Sequence, residues 1–412
     1  MRIRTVAEPA RPAPPAGVEE DVRTILQQVR GGGDAALREL TERFDRAEPA
    51  ADELRVDARE LEGALEALPR DVLGGLRTAI ANVRTLARTQ LRDPVTVELE
   101  QGQRIDISEK PVRRAAVYVP GGRAPYPSTV VMGAVTARAA GVEQVAVCAP
   151  PGPGGRAHPV ILAACALCEV SEVYRIGGAQ AIAALAYGTE SVPAVDVITG
   201  PGNSWVQEAK RQVAWTRVGI DGIAGPSELA VIADGDGIDP AAIALDLLAQ
   251  AEHGPDSLLW LISPDAPLRE RVAEAVERMA PERPSVAEAV LELAPAGGAR
   301  ALELAELLAP EHLELVGERA EALAPRVRRA GCVFVGAGAA TAFGDYVAGS
   351  NHVLPTGGAA RFQSALSVST FRRRMARVSL PGEAPARLAP AGAALARAEG
   401  FPVHAESMEH RA

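Results

Sequence analysis

From residue 115 onward, short β-rich runs alternate with helical patterns, and this alternation restricts the fold more than any other feature of the chain. The runs span 115–119, 144–148, 173–176, 195–198, 229–233, 258–262 and 332–335. Helical patterns at 129–140, 178–187, 204–213, 245–252 and 269–279 separate most of them. Strand and helix in alternation predict parallel sheets covered by helices. The runs fall into groups before and after Gly225-Pro226, which predicts two doubly wound units. Residues 18–92 read as helical: Leu76, Ile80, Val83 and Leu86 follow helical spacing, and Asp93-Pro94 ends the run. The first 17 residues are Pro-rich and read as an extended arm. Residues 280–300 read as a surface connection, and the stretch after Gly357 as helices and connectors. No internal repeat of 20–50 residues is visible.

Composition narrows the partners. The chain has 412 residues, enough for two or three domains, and a formal charge of −10. Its one basic block, Arg372-Arg373-Arg374, is too short for a nucleic-acid footprint. Met1-Arg2-Ile3-Arg4 leads into no apolar h-region, so no secretory signal is expected. Uncharged stretches such as 176–189 are too short and too polar to span a bilayer. Four cysteines in a chain this long fit a reducing cytoplasm.

The chain has six histidines, and four of them lie in polar clusters in its last two-fifths. Imidazole is the side chain best suited to ligate metal or accept a proton near neutral pH. Gln250 and His253 are three apart in an apolar helical pattern, so both can face one cation. The plainer alternative is a helix end stopped by Gly254-Pro255, with His253 facing the dipole. Asp345, in a Gly-rich turn, and His404, in the C-terminal segment, would complete a nitrogen and oxygen donor set. Such a set suits zinc, with manganese or cobalt as alternatives. Glu311-His312 follows Pro310. A helix start explains the glutamate there but not the histidine. Placed on a helix, the two side chains would diverge and could serve separate proton transfers.

Three glycine-bearing loops follow strands in one unit: Gly121-Gly122, Gly177-Gly178-Ala179-Gln180 and Gly200-Pro201-Gly202-Asn203. Loops of this kind at strand ends mark a ligand crevice and accept anions at helix N-termini. Ordinary turn chemistry is the alternative. None matches G-x-G-x-x-G, and the nearest stretch, beginning at Gly336, carries Thr341 in the last position. Cys165 and Cys168 sit in an apolar helical run and read as core. Cys148 ends a strand and has no nearby histidine or asparagine to support a nucleophile.

These stretches together resemble the histidinol dehydrogenase family. The resemblance is carried by Tyr118-Val119-Pro120-Gly121-Gly122, the stretch 177–190, Gly200-Pro201-Gly202-Asn203 and Ala224-Gly225-Pro226-Ser227-Glu228. It continues through Gln250-Ala251-Glu252-His253, Pro310-Glu311-His312-Leu313 and 344–356, with weaker similarity from about residue 20 to the end. It implies oxidation of L-histidinol to L-histidine through the aldehyde in two NAD-dependent steps, with one zinc per active site, in a homodimer. It implies Gln250, His253, Asp345 and His404 as zinc ligands, and Glu311 and His312 as the acid–base pair. Tyr118, Gln180 and Asn203 would contact the cofactor. Ser227 and Glu399 would contact substrate, together with His312 and the four zinc ligands. The implied fold is α/β, with two incomplete Rossmann-like units, the second inserted in the first. Residues 1–20 would form an arm, 21–117 and 228–357 the first unit, 118–227 the inserted NAD-contacting unit, and 358–412 a tail exchanged between subunits. Arg123 and Thr136 depart from the family's usual residues, and His410 rivals His404 as a ligand. Two other readings remain: a relative acting on another small amino alcohol or polyol, and a zinc hydrolase with Glu311 as base. A ligand-binding relative without activity would be expected to have lost the acid–base residues, which are present here.

Overall fold

In the computed structural model of the chain, residues 1–11, 17–46, 54–121, 124–286 and 288–412 are described. Gly122, Arg123 and part of the N-terminal arm lie outside them. In chain order the strands are β1 (Arg2–Thr5), β2 (Val95–Glu98), β3 (Arg104–Pro111), β4 (Arg114–Tyr118), β5 (Gln144–Ala149), β6 (Glu172–Arg175) and β7 (Val197–Thr199). They continue as β8 (Gly219–Ile220), β9 (Glu228–Ala233), β10 (Leu258–Ile262), β11 (Val290–Ala294), β12 (His312–Val316), β13 (Cys332–Val335) and β14 (Arg372–Ser379).

Two parallel sheets form the body. One has the order β6-β5-β4-β7-β8 and the other β1-β11-β10-β9-β12-β13. In each, the strand order reverses beside the first strand of the unit, between β4 and β7 and between β9 and β12, as in doubly wound folds. The sequences of the central strands explain this. Arg114–Tyr118 and Glu228–Ala233 are buried at every position, as strands covered on both faces must be. A third, antiparallel sheet pairs β14 with β3 and β3 with β2.

The structure corrects several expectations. Residues 290–294 are not a surface connection but the buried strand β11, paired with both β10 and β1. The arm contributes β1 to the edge of the six-stranded sheet. The stretch after Gly357 contains the eight-residue strand β14, whose sequence Arg-Arg-Arg-Met-Ala-Arg-Val-Ser carries no apolar alternation because it is almost wholly exposed. The N-terminal helices Glu19–Asp45, Ala58–Glu66 and Arg70–Thr89 were expected to belong with the six-stranded unit, together with β4. They pack on the five-stranded sheet instead: Val22, Ile25 and Val29 meet Ile176, Ile182 and Leu185, and Ile80 and Val83 meet Val130 and Val135. Leu86 points to solvent and Ala87 takes its place in the core. Among the described residues, no helix is long and apolar enough to cross a membrane.

Candidate active site

The crevice of the five-stranded sheet opens where its strand order reverses. Tyr118 ends β4, and Gly200 to Asn203 follow β7 beside it. Gly200 has φ of +112°, and a Cβ there would lie 2.1 Å from the carbonyl oxygen of Tyr118, so only glycine lets the loop approach β4. The Tyr118 hydroxyl accepts a hydrogen bond from the Gly178 N–H at 3.1 Å. Gln180 is buried, and its Nε2 donates to Asp45 Oδ2 at 3.3 Å. Burial raises the Asp45 carboxyl to about 6, against the lowering effect of that hydrogen bond. Asn203 caps the helix Ser204–Val213, its Oδ1 accepting from the Val206 N–H at 3.1 Å. A cavity beside these residues is lined by Asp45, Pro120, Gly121, Pro150, His158 and Ile161. Asp45 had no signal in the sequence, because it reaches the crevice from the end of the helix Glu19–Asp45, remote from the loops, and His158, which caps the helix after β5, lies outside the polar histidine clusters. Cys148 is fully buried and burial pushes its thiol well up, which disfavours the thiolate that a nucleophile requires.

A buried ion pair staples the Gly200 loop. Lys210, 1% exposed, donates to the Gly200 carbonyl at 3.0 Å and pairs with Asp221 Oδ1 at 2.5 Å. Asp221 Oδ2 in turn accepts from the Gly200 N–H at 2.7 Å. Lys210→Met would leave the Asp221 charge buried and unpaired. A loss of about 3–5 kcal/mol in unfolding free energy is expected by urea denaturation. An unchanged midpoint would show that the pair is dispensable.

The five-stranded unit meets the other at a second cavity, lined by Gly200, Asp221, Ser227, Glu311, His352 and Thr356 among others. Glu311 and His312 do not start a helix; His312 is the first residue of β12, and Glu311 precedes it. Nor do their side chains diverge. Both converge on the main chain of Glu228, the first residue of β9, with which β12 pairs. The Glu228 N–H donates to Glu311 Oε2 at 2.9 Å, and the Glu228 carbonyl lies 3.0 Å from His312 Nδ1. A carbonyl only accepts, so Nδ1 carries the proton and Nε2 is left as the proton acceptor. His312 Nδ1 is also 3.6 Å from Glu311 Oε2.

Electrostatics sort this cluster. Burial drives His312 down to about 4 against the pull of Asp345, with His253 and His352 adding to the fall. The imidazole is therefore neutral at pH 7. Glu311 is held well above the usual carboxyl range by burial and then by the Asp345 charge, while Arg11 opposes both. Asp345 is held below its usual value: burial acts upward but is outweighed by the His253 hydrogen bond and by electrostatic interaction with the surrounding imidazoles of His312, His352 and His253.

Asp345 lies in the short helix Thr341–Tyr346 rather than in a turn. Its carboxylate is 3.8 Å from His253 Nε2 and 3.7 Å from His312 Nε2. His352 Nδ1 donates to the Asp345 carbonyl at 2.8 Å, a bond that holds this helix end in place. Gln250 lies in the last turn of the helix Pro240–Ala251 and His253 just beyond its end, so the helix-end alternative and the shared-face reading both describe the pair. The Gln250 amide is buried, and neither its oxygen nor its nitrogen has a hydrogen-bond partner among the described residues. Such an orphaned amide is costly unless a further group satisfies it, and its oxygen is a fitting metal donor. The donors present therefore fit a cation, but incompletely. Among the described residues, no group of three or more His, Cys, Asp or Glu side chains is arranged to hold a metal ion. The structure does not bring His404 or Glu399 to this cluster. His404 is exposed in the helix Pro402–Glu409, against the Phe401 ring, and Glu399 caps the helix Ala384–Ala398.

A family model described as histidinol dehydrogenase matches residues 11–412. A histidinol dehydrogenase of Gluconobacter oxydans is 44% identical over 409 residues, covering 98% of this chain and 94% of the relative. One from Synechococcus is 45% identical over 400 residues, covering 95% and 92%. A crystal structure of histidinol dehydrogenase from Elizabethkingia anophelis superposes with a TM-score of 0.93 at 30% identity, covering 100% of this chain and 98% of that one. With the sheets and the Glu311–His312 cluster as described, these matches show that the chain belongs to the histidinol dehydrogenase family.

Proposed function

We propose that the chain oxidises L-histidinol to L-histidine through the aldehyde, in two steps that each reduce one NAD. The observation that carries this reading is the convergence of Glu311, His312, His253 and Asp345 beside a cavity that also touches the Gly200 loop. Tyr118, Gln180 and Asn203 are read as the cofactor contacts, and NAD when bound supplies the hydride acceptor. Gln250, His253 and Asp345 would hold zinc together with His404, and a bound zinc supplies an electrophilic anchor for the nitrogen donors of the substrate.

The remaining chemistry belongs to side chains. Neutral His312 takes the hydroxyl proton at Nε2 as the alcohol is oxidised, with Nδ1 held by the Glu228 carbonyl. Glu311 takes a proton from the water that adds to the aldehyde, protonated His312 gives its proton to the carbonyl oxygen, and His312, neutral again, deprotonates the resulting hydrate as the second hydride leaves. Ser227 lines the same cavity and is read as a substrate contact.

The same reading makes the chain a homodimer that exchanges residues 358–412, so that Glu399 and His404 serve the neighbouring site. Two facts support it. The helices Ala384–Ala398 and Pro402–Glu409 pack on one another around Ala393, Ala396, Ala405 and Met408, and they leave Leu395, Phe401 and Val403 exposed. Among the described residues of one chain, no three His, Cys, Asp or Glu side chains are grouped to hold a metal ion, so a fourth donor from a neighbouring chain fits the reading. Residues 118–227 are read as the NAD-contacting insert, and 228–357 as the unit carrying most of the zinc and acid–base residues.

The test is NADH absorbance with L-histidinol, with and without a chelator. Two NADH per histidinol are expected, and none after metal removal; no NADH in the untreated enzyme refutes the reading. For His253→Ala, elemental analysis is expected to find zinc reduced well below one per chain. Full zinc content would remove His253 from the ligand set.

A further inference from the structure

We infer that Arg11 is a positioning residue for the Glu311–His312 pair, acting through Glu228 and through the turn that delivers both side chains to the cavity. The inference rests on the assignment of those two residues as the acid–base pair.

Glu228 is completely buried, and its carboxylate does three things at once. Oε2 accepts from the Glu311 N–H at 3.1 Å, Oε1 accepts from the Gly357 N–H at 2.9 Å, and the group is ion-paired with Arg11. Its own backbone N–H and carbonyl hold the Glu311 carboxylate and the His312 ring. One residue thus fixes both members of the pair, and its carboxylate acts there only as an acceptor: a protonated or displaced Glu228 side chain would release the Glu311 backbone. A buried carboxylate stays ionised when a cation and hydrogen bonds compensate it. Arg11 Nη2 is 2.8 Å from Glu228 Oε2 and supplies that cation.

The same guanidinium holds the turn itself. Arg11 Nε donates to the Leu308 carbonyl at 3.0 Å and Nη2 reaches the Ala309 carbonyl at 3.3 Å. Leu308 ends the helix Gly298–Leu308, and Ala309 has φ of +44°. A cation at this end faces unsatisfied carbonyls and the negative pole of the helix. Two residues later the chain reaches Glu311. The guanidinium also lies over the Trp260 ring, 5.4 Å from its centroid. An arm residue, the start of β9 and the helix before β12 therefore meet on one planar fork, a geometry that lysine cannot reproduce.

Misplacing a reacting group by about 1 Å costs on the order of 10²-fold in rate. In the zinc-loaded full-length enzyme, Arg11→Met is expected to lower kcat for both L-histidinol and L-histidinaldehyde by about 10- to 100-fold. KM for substrate and for NAD should stay within about threefold, and zinc content should be unchanged. Arg11→Lys keeps the charge and loses the fork, so about a tenfold loss in kcat is expected. Guanidinium ion at millimolar concentration should restore part of the kcat of Arg11→Ala. A purely structural arm contact predicts a lowered melting temperature with kcat per folded, zinc-loaded enzyme unchanged. That result in Arg11→Met overturns the proposal, and so does a loss confined to KM. If Arg11→Met does not fold, an unaltered kcat in Arg11→Lys overturns it equally. A wild-type enzyme that fails to oxidise L-histidinol would instead overturn the reading beneath it, which keeps the two failures distinct.

Discussion

Replacing Glu311 with Gln is expected to slow oxidation of L-histidinaldehyde by about 10²–10⁴-fold, the usual contribution of a positioned general base. Oxidation of the alcohol should fall by less than about tenfold. The asymmetry follows from position. Glu311 is buried, accepts the Glu228 N–H and lines the cavity, and only the second oxidation needs water deprotonated. Burial and then the nearby Asp345 charge raise its pKa, against the opposing Arg11. Gln keeps the volume and the acceptor oxygen for Glu228 but cannot take the proton. Single-turnover measurements with each substrate separate the steps, and equal losses in both would remove the water-activating role.

His312→Asn is expected to impair both oxidations, each by about 10²–10⁴-fold. The imidazole is 3% exposed and held neutral, with Nδ1 engaged by the Glu228 carbonyl. An Asn amide can keep the hydrogen bond to that carbonyl but offers no basic nitrogen. The prediction is thus a loss of kcat at nearly unchanged zinc content, read by steady-state kinetics with metal analysis. A variant that oxidised the alcohol at the wild-type rate would exclude His312 as the first base. A variant lacking zinc would instead point to His312 as a metal ligand, which its 3.7 Å separation from Asp345 makes worth measuring.

The sequence exposes the fold in one place and hides it in another for a physical reason. Strands covered on both faces are near-continuous apolar runs, so Glu228–Ala233, Leu258–Ile262 and Gln144–Ala149, apolar after a polar first residue in two cases, stand out between polar turns. The helices Gly178–Tyr187 and Ser204–Val213 coincide with their patterns because glycine and asparagine mark their starts. By contrast, β2 and β14 are exposed, β3 is half-buried, and β3 and β14 are rich in charge, so little local distinguishes them from loops; pairing with partner strands makes them strands. Strand β12 was masked by its own prelude. Pro310 and Glu311 imitate a helix start, and only pairing with β9 and β13 makes the segment extended.

The candidate site divides along the same line. Residue types and their motifs, Gln250 with His253, Glu311 with His312, and the glycine loops, were legible because each is local in the chain. Arg11, Asp45, Lys210 and Asp221 were not, since each acquires meaning only from a partner far away in sequence: Arg11 from Glu228, Asp45 from Gln180, Lys210 from Asp221 in its buried setting. The chain by itself therefore determined two parallel α/β units, the residue types present at the candidate polar site and the family. Tertiary structure decided which unit the N-terminal helices cover, that Glu311 and His312 converge on Glu228, and that His404 stands apart from His253 and Asp345. Periodicity and glycine punctuation are written in neighbouring residues, whereas burial, strand pairing and charge compensation exist only once distant segments are in contact.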